Sequence, residues 1–314
     1  MFILERKKIS VVVPCFNEEE SLPVFYSEIV KITEQMEYVD FEFILVDDGS
    51  TDGTLEVIKK IKNKDLRVRF ICFSRNFGKE AALYAGIEMS SGDLVAIMDA
   101  DMQDPPYLLP EMFEVIQNED YDIVATRRSN RKGEPLIRSL CAKVFYKFIN
   151  RISKTEIVDG ARDFRLMTRQ VVDAVLMMGE YNRFSKGMFS WIGFNTKWIS
   201  YENTERVAGS TKWSFFKLLI YSIEGIVAFS EVPLAIASVM GIIFFLLSIL
   251  MIIAIIIKTL IWKDPVSGWP SLACIMFFVS GIQLFCTGIL GEYLAKTYLE
   301  VKKRPIYITK EKSE

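Results

Sequence analysis

Between Glu231 and Lys258 the chain carries no charged side chain, reading VPLAIASVMGIIFFLLSILMIIAIII over residues 232–257. A second uncharged run, residues 269–291, begins after the short link KTLIWKDPVSG and stops before Glu292. At about 1.5 Å per helical residue, either run is long enough to cross a bilayer core of about 30 Å. Two spans joined by so short a link form a hairpin, with both ends on the same side. Lys296, Lys302, Lys303 and Arg304 follow the pair, and Arg206, Lys212 and Lys217 precede it, whereas the link holds only Lys258, Lys263 and Asp264. The positive-inside rule therefore puts both ends in the cytoplasm, in a multi-pass protein of the inner (plasma) membrane. Two buried core helices are the weaker reading at these lengths.

The preceding part alternates strand and helix signals. KISVVVPCF, FEFILVDDG, VRFICFS, DLVAIMDAD and YDIVATR read as strands; between them, NEEESLPVFYSEIVKITEQM, TDGTLEVIKKIKNK, GKEAALYAGIEMS and YLLPEMFEVIQN read as helices. Acidic residues are expected in the first turn of the first helix, and Thr51 or Asp52 as the N-cap of the second. The strands are continuous runs of Val, Ile, Leu and Phe, as in a parallel sheet covered on both faces. The pattern predicts an α/β class with a mostly parallel sheet. WSFFKLLIYSIEGIVAF spaces Ser214, Lys217, Tyr221 and Glu224 three or four apart, which suits a helix on the membrane surface; a helix packed on the sheet domain is the alternative. The expected division is a cytoplasmic domain at 1–205, a juxtamembrane region at 206–230, the hairpin at 231–292 with spans at about 232–257 and 269–291, and a cytoplasmic tail at 293–314.

The chain has no histidine, so a serine-protease-type triad, a histidine base and a His-ligated zinc site are excluded. Cys15, Cys72, Cys141, Cys274 and Cys286 show no metal-ligand spacing and read as reduced thiols. A formal net charge of −2 without a Lys/Arg block argues against a nucleic-acid partner. MFILERKKIS runs straight into a strand, so no signal peptide is expected. Any chemistry must run on carboxylates and cations, with or without a metal held by oxygen.

IMDADMQDPP sets Asp99, Asp101 and Asp104 within six residues at the end of the fourth strand, and Asp47 and Asp48 end the second. Ligands of open parallel sheets bind beyond those carboxyl ends. Neither GxGxxG nor GxxxxGK[ST] is present, so a diphosphate here lacks a glycine cradle. A divalent cation, Mg²⁺ or Mn²⁺, is the remaining way to hold it beside carboxylates. Asp104 also reads as the cap of a helix starting near Pro105 and Pro106.

VVVPCFNEEESL, ILVDDGSTDGT, FSRNFGKEAAL, IMDADMQDPP, DGARDFRLM, NRFSKGMFSWIGF, RVAGSTKWSFFKLL and GEYLAKTYLEVKKRPIYI, spread from Ile9 to Ile308, resemble the family 2 glycosyltransferases that take polyprenyl phosphate as acceptor. Bactoprenol glucosyltransferases and dolichol-phosphate mannose synthases belong to that group. The resemblance implies a GT-A nucleotide-sugar domain. It implies that Pro14, Phe16, Glu18 and Asp48 contact base and ribose, with Lys79 also on the substrate side. Asp99, Asp101 and Gln103 would hold the metal and donor diphosphate, and Asp159 would face the reacting centre, with Asp163 four residues on as its rival. Arg127, Arg138, Arg206 and Lys212 would approach donor or lipid phosphate, Asp101, Arg206 and Lys212 sharing with Asp159 the catalytic role.

The function so implied is metal-dependent, inverting transfer of one sugar from a nucleotide sugar to undecaprenyl phosphate. UDP-glucose is the first expectation for the donor, then UDP-GlcNAc or an aminoarabinose-type sugar. The lipid-linked monosaccharide would pass to a flippase for cell-surface glycan or lipid modification, and a homo-oligomer associating through the membrane part is also implied. Processive polysaccharide synthases differ by a QxxRW block that this chain lacks. A membrane-anchored nucleotide-sugar-binding protein without catalysis is the alternative of another class.

Overall fold

The computed structural model describes residues 6–129, 150–151, 158, 160–202, 230, 232–262 and 268–313. The expected surface helix at 213–229 lies outside them. Eight strands form one sheet, β1 (Lys7–Cys15), β2 (Val39–Asp47), β3 (Val68–Phe73), β4 (Leu94–Ile97), β5 (Ile123–Arg128), β6 (Ala161–Thr168), β7 (Thr196–Tyr201) and β8 (Thr309–Lys312), in the order β7-β5-β6-β4-β1-β2-β3-β8. The pairings β1–β2, β1–β4, β2–β3 and β5–β7 are parallel; β4–β6, β5–β6 and β3–β8 are antiparallel. The sheet is thus mostly parallel, as the uninterrupted apolar runs predict. β6, β7 and β8 were not among the expected strands, and all three carry charges or lie half-exposed.

Helices α1 (Ser21–Gln35), α2 (Thr54–Lys64), α3 (Lys79–Met89), α4 (Leu109–Asn118), α5 (Arg169–Met177) and α6 (Ser185–Trp191) cover the sheet. The two-residue period of β1 sends Ile9, Val11 and Val13 into one apolar core with Phe25, Ile29 and Phe43, and Val12 into a second with Ile44, Val46 and Ala82. α3 lies so close to the sheet that a Cβ on Gly86 would stand 2.2 Å from a Val12 methyl carbon. Only glycine fits there, and the contact fixes the height of α3 and of Lys79 at its start.

Two helix starts differ from expectation. α1 begins at Ser21, after Glu18, Glu19 and Glu20, and has no acidic residue in its first turn. α2 begins at Thr54 with Gly53 at the cap position, so neither Thr51 nor Asp52 is its N-cap. The reason is a cross-link between two loops. Thr51 N–H donates to Asn17 Oδ1 (2.8 Å), Gly53 N–H to Glu19 Oε2 (2.7 Å), and Glu18 N–H to Thr54 Oγ1 (2.8 Å). Asp52 Oδ1, one residue before the cap position, accepts both the Thr54 hydroxyl at 2.6 Å and the Thr54 amide at 3.1 Å.

Helices α7 (Val232–Trp262) and α8 (Trp269–Val301) contain stretches, Val232–Met251 and Ile275–Val301, long and apolar enough to cross a membrane. Phe277 and Leu284 are 80% and 73% exposed, which is unlike core helices. α8 continues to Val301, past the expected end of the span at 291, and packs its polar end on the sheet domain. Glu300 Oε1 accepts the Tyr181 and Asn182 amides at 2.9 and 3.2 Å, and Lys296 Nζ donates to Asn182 Oδ1 at 3.0 Å. Beyond it the chain returns to the sheet as β8.

Glu42, on β2, is a charged residue inside this sheet, with 5% of its side chain exposed. Lys8 Nζ (2.8 Å), Ser10 Oγ (2.6 Å) and Ser91 N–H (2.7 Å) all donate to it. Burial raises its pKa, but these donors outweigh burial and bring it from 4.5 to about 2. A lowered carboxylate pKa stabilises the fold above pH 4.5, and that contribution fades as pH falls towards 2. Glu42→Gln should therefore cost on the order of 3 kcal/mol at pH 7. Denaturant unfolding in detergent should show that gap closing as the solution is acidified; a gap independent of pH would contradict it.

Candidate active site

The strand directions bring one set of charges to one edge. β1, β2, β3 and β4 run the same way, and β5 and β7 share that direction because β6 is antiparallel to both β4 and β5. Asp47 ending β2 and Asp48 just after it, Asp99 and Asp101 after β4, Arg127 and Arg128 ending β5, and Tyr201 ending β7 therefore lie at the carboxyl edge. β6 begins there, and its first residues include Arg162 and Asp163.

Lys79, the first residue of α3, is the link between these strand ends. Its Nζ stands 2.7 Å from Asp99 Oδ1 and also pairs with Asp163 Oδ2. Each carboxylate is 18% exposed and Lys79 42%, so the group opens to solvent on the lysine side. Burial lowers the Lys79 pKa, yet Asp163 and Asp99 prevail and raise it, so the ammonium stays charged. Burial and the Asp163 charge push Asp99 up, against the pull of Lys79. Burial also works against Asp163, but Lys79, Lys186 and Arg165 hold it well below the usual carboxylate range.

The loop delivering Lys79 hangs from Asp48. Its Oδ1 accepts the Phe77 amide at 2.7 Å, and its Oδ2 the Gly78 amide at 3.0 Å. Gly78 has φ of +98°, a conformation open to glycine and costly for other residues. Burial pushes the Asp48 carboxyl up to about 6, in spite of those two amides.

On the other side of Asp101 the backbone turns at Met102, with φ of +60°, and Asp101 Oδ1 accepts the Gln103 amide at 3.1 Å. Gln103 Oε1 accepts from Arg128 (3.2 Å) and Arg162 (3.4 Å). Asp104 is no helix cap. It is fully buried, and its Oδ1 accepts Arg162 Nε at 2.7 Å and the Tyr201 hydroxyl at 2.6 Å. The 3₁₀ turn Pro106–Leu108 starts from Pro105 with no side-chain cap, because Asp104 is directed into the sheet edge. Burial lowers the Arg162 pKa, but Asp104 and Asp99 overcome this and raise it.

Of the expected site residues, Asp48, Lys79, Asp99, Asp101 and Gln103 gather at this edge. Pro14, Phe16 and Glu18 are half-buried at and just beyond the end of β1, beside the loop carrying Asn17 and Thr51. Arg127 is exposed and donates to Ser200 Oγ at 2.9 Å; its neighbour Arg128 reaches Gln103. Asp159, Arg138, Arg206 and Lys212 lie outside the described residues. Asp163, the rival of Asp159, sits in strand β6, and this is why it reaches Lys79. Sequence reasoning passed over Arg128, Arg162, Arg165 and Tyr201. For Arg162 and Arg165 the available signal was ARDFRL, three charges within an otherwise apolar strand; Arg128 and Tyr201 offered none.

Among the described residues no three Asp, Glu, Cys or His side chains converge as a metal cage. Asp99, Asp101 and Gln103 nevertheless present only oxygen ligands, which suit Mg²⁺ or Mn²⁺ in the mode where one or two carboxylates serve and phosphate and water complete the shell.

The model for glycosyl transferase family 2 matches residues 10–176. CsbB of Bacillus subtilis (strain 168) is 44% identical over 303 residues, 96% of this chain and 91% of that protein. The SfII prophage-derived bactoprenol glucosyl transferase of Shigella flexneri is 42% identical over 303 residues, 96% of this chain and 97% of that one. The bactoprenol glucosyl transferase of Shigella phage SfV is 41% identical over 307 residues, 98% and 99% of the two chains.

The Arg162–Asp104 pair yields a prediction of its own. Arg162→Leu leaves a fully buried carboxylate without its cation and should destabilise the fold by about 3–5 kcal/mol. Arg162→Leu combined with Asp104→Leu should recover much of that loss in denaturant unfolding. Additive losses in the double variant would show that the pair does not act as a unit.

Proposed function

This chain belongs to glycosyl transferase family 2, and from that premise we propose that it moves one sugar from UDP-glucose to undecaprenyl phosphate, with inversion, giving a lipid-linked monosaccharide. The observation that carries this reading is the convergence of Asp99 and Asp163 on Lys79, beside Asp101 and Gln103, at the carboxyl edge of the sheet. Supporting it are relatives named bactoprenol glucosyl transferase, which match nearly the whole chain. In this reading 1–205 is the cytoplasmic catalytic domain, followed by a juxtamembrane segment at 206–230 and two membrane spans. The exposed apolar sides of α7 and α8 support the spans. A homo-oligomer and a downstream flippase belong to the same proposal.

The chemistry follows from the charges. An acceptor phosphate oxygen forms a bond to the anomeric carbon while the bond from that carbon to the donor diphosphate breaks, and UDP departs with the electron pair. The acceptor is already an anion, so no strong base is needed, consistent with a chain without histidine. The barrier lies in bringing two anions together and in the charge that grows on the leaving group. Asp99, Asp101 and Gln103 would hold Mg²⁺ or Mn²⁺, which supplies positive charge to the leaving diphosphate. Lys79 offers an ammonium at the same place, and Arg128 and Arg162 offer guanidinium groups that suit phosphate oxygens. Asp163, held ionised, keeps Lys79 charged and oriented. Asp48 keeps the loop before Lys79 in place and leaves the half-buried Phe16 and Glu18 for the nucleoside. Asp159, Arg138, Arg206 and Lys212 complete the proposed set from segments outside the described residues.

The test is product formation by purified protein in detergent with undecaprenyl phosphate, Mg²⁺ or Mn²⁺ and a panel of UDP-sugars. One lipid-linked product, with the mass given by UDP-glucose, should appear by mass spectrometry and vanish with EDTA. Asp101→Asn should lose it while keeping the wild-type unfolding midpoint. A protein that binds UDP yet yields no product with any sugar would be a binding module instead.

A further inference from the structure

The C-terminal segment reaches the donor side of the site through an unbroken series of contacts. After α8 the chain returns across the edge of β3, where β8 pairs antiparallel with Ile71, Cys72 and Phe73. Just before β8, the Ser74 amide donates to Ile308 O at 2.9 Å, and the Tyr307 ring stacks on Phe73 at 4.8 Å and 21°. Phe73 in turn meets Phe77 edge-on at 5.8 Å. Phe77 and Gly78 donate their amides to Asp48, and the next residue is Lys79. The Tyr307 hydroxyl also donates to Glu88 Oε2 at 2.6 Å, so Tyr307 holds both the loop before α3 and the far end of α3. Tyr307 and Ile306 pack on the core cluster that contains Phe73 and the α3 alanines.

We propose that Tyr307 is a positioning residue for the donor site: its ring, stacked on Phe73, fixes the 74–79 loop so that Asp48 and Lys79 stand where a nucleoside diphosphate binds. The physical reason lies in the loop itself. Segment 74–78 carries no regular secondary structure and includes a glycine of positive φ, so its own backbone does not define one conformation. Its order must come from outside, from Asp48 on one side and from Tyr307 and Ile308 on the other. The same return strand follows directly from the helix end held at Glu300, so the donor loop is also tied mechanically to α8. Naming the ligand a nucleoside diphosphate rests on the function proposed above; the positioning of the loop does not.

The experiment uses the full chain in detergent and compares wild type, Tyr307→Ala and Tyr307→Phe. Amide hydrogen exchange without substrate should show Phe77 and Gly78 exchanging roughly tenfold faster in Tyr307→Ala, since one aromatic pair that orders the loop is gone. Tyr307→Phe, which keeps the ring, should exchange like wild type. With UDP-glucose as probe, Tyr307→Ala should raise the KM for the donor by a similar factor, with the KM for undecaprenyl phosphate unchanged. If Tyr307→Ala fails to fold, Tyr307→Leu keeps apolar bulk without the stacked ring and takes its place. Unchanged exchange at Phe77 and Gly78, or faster exchange with a constant donor KM, overturns the proposal. A wild-type protein that never turns over UDP-glucose overturns the function proposed above, and the exchange together with UDP binding then decides the positioning alone.

Discussion

Two acidic strand ends cannot share one edge of a sheet unless a cation stands between them. Here that cation is Lys79, paired with Asp99 from the end of β4 and with Asp163 from the start of β6. Much of the architecture serves this contact. Glycine at position 86 lets α3 settle on Val12 at the height that brings its first residue to the carboxylates. Asp48 ties down the two amides before it. The antiparallel entry of β6 is what lets a residue distant in sequence meet Asp99 at all.

The pair of charges also explains why the neighbouring polar groups are arranged as they are. Asp104, a few residues beyond Asp101, is taken out of the cluster by Arg162 and Tyr201, and so does not join Asp99, Asp101 and Asp163 as a further negative charge on the open edge. Arg128 and Arg162 both turn to Gln103, which leaves guanidinium groups beside the carboxylates. An anionic ligand arriving here exchanges one set of partners for another and does not enter a site of a single sign. The return of the chain as β8 pairs with β3, and the polar end of α8 is held to the sheet domain at Tyr181 and Asn182.

The five continuous strands and the uncharged stretches of α7 and α8 were legible because a sheet covered on both faces, or a helix apolar all round, leaves long apolar runs with nothing to interrupt them. Asp99 and Asp101 were legible as candidates because the end of a parallel strand is where ligands bind; Lys79, at the start of α3, came only with the family resemblance. What could not be read was long-range pairing. β6 carries Arg162, Asp163 and Arg165, so it does not resemble a strand until β4 and β5 flank it and Asp104 and Lys79 pair with Arg162 and Asp163. β8 reads as the polar tail TKEK, and only the edge of β3 makes it a strand. Asp104 has the local spacing of a cap, and its true partners lie 58 and 97 residues away.

In the proposed function this acidic edge, together with a divalent ion, binds the donor diphosphate. Calorimetric titration of UDP into the full chain, with and without Mn²⁺, tests it most directly. Mn²⁺ should tighten UDP binding in the wild type by at least about tenfold, a coupling on the order of 1.4 kcal/mol. The double variant Asp99→Asn, Asp101→Asn should show no such tightening. An equal Mn²⁺ effect in both proteins would contradict the account and put the diphosphate elsewhere.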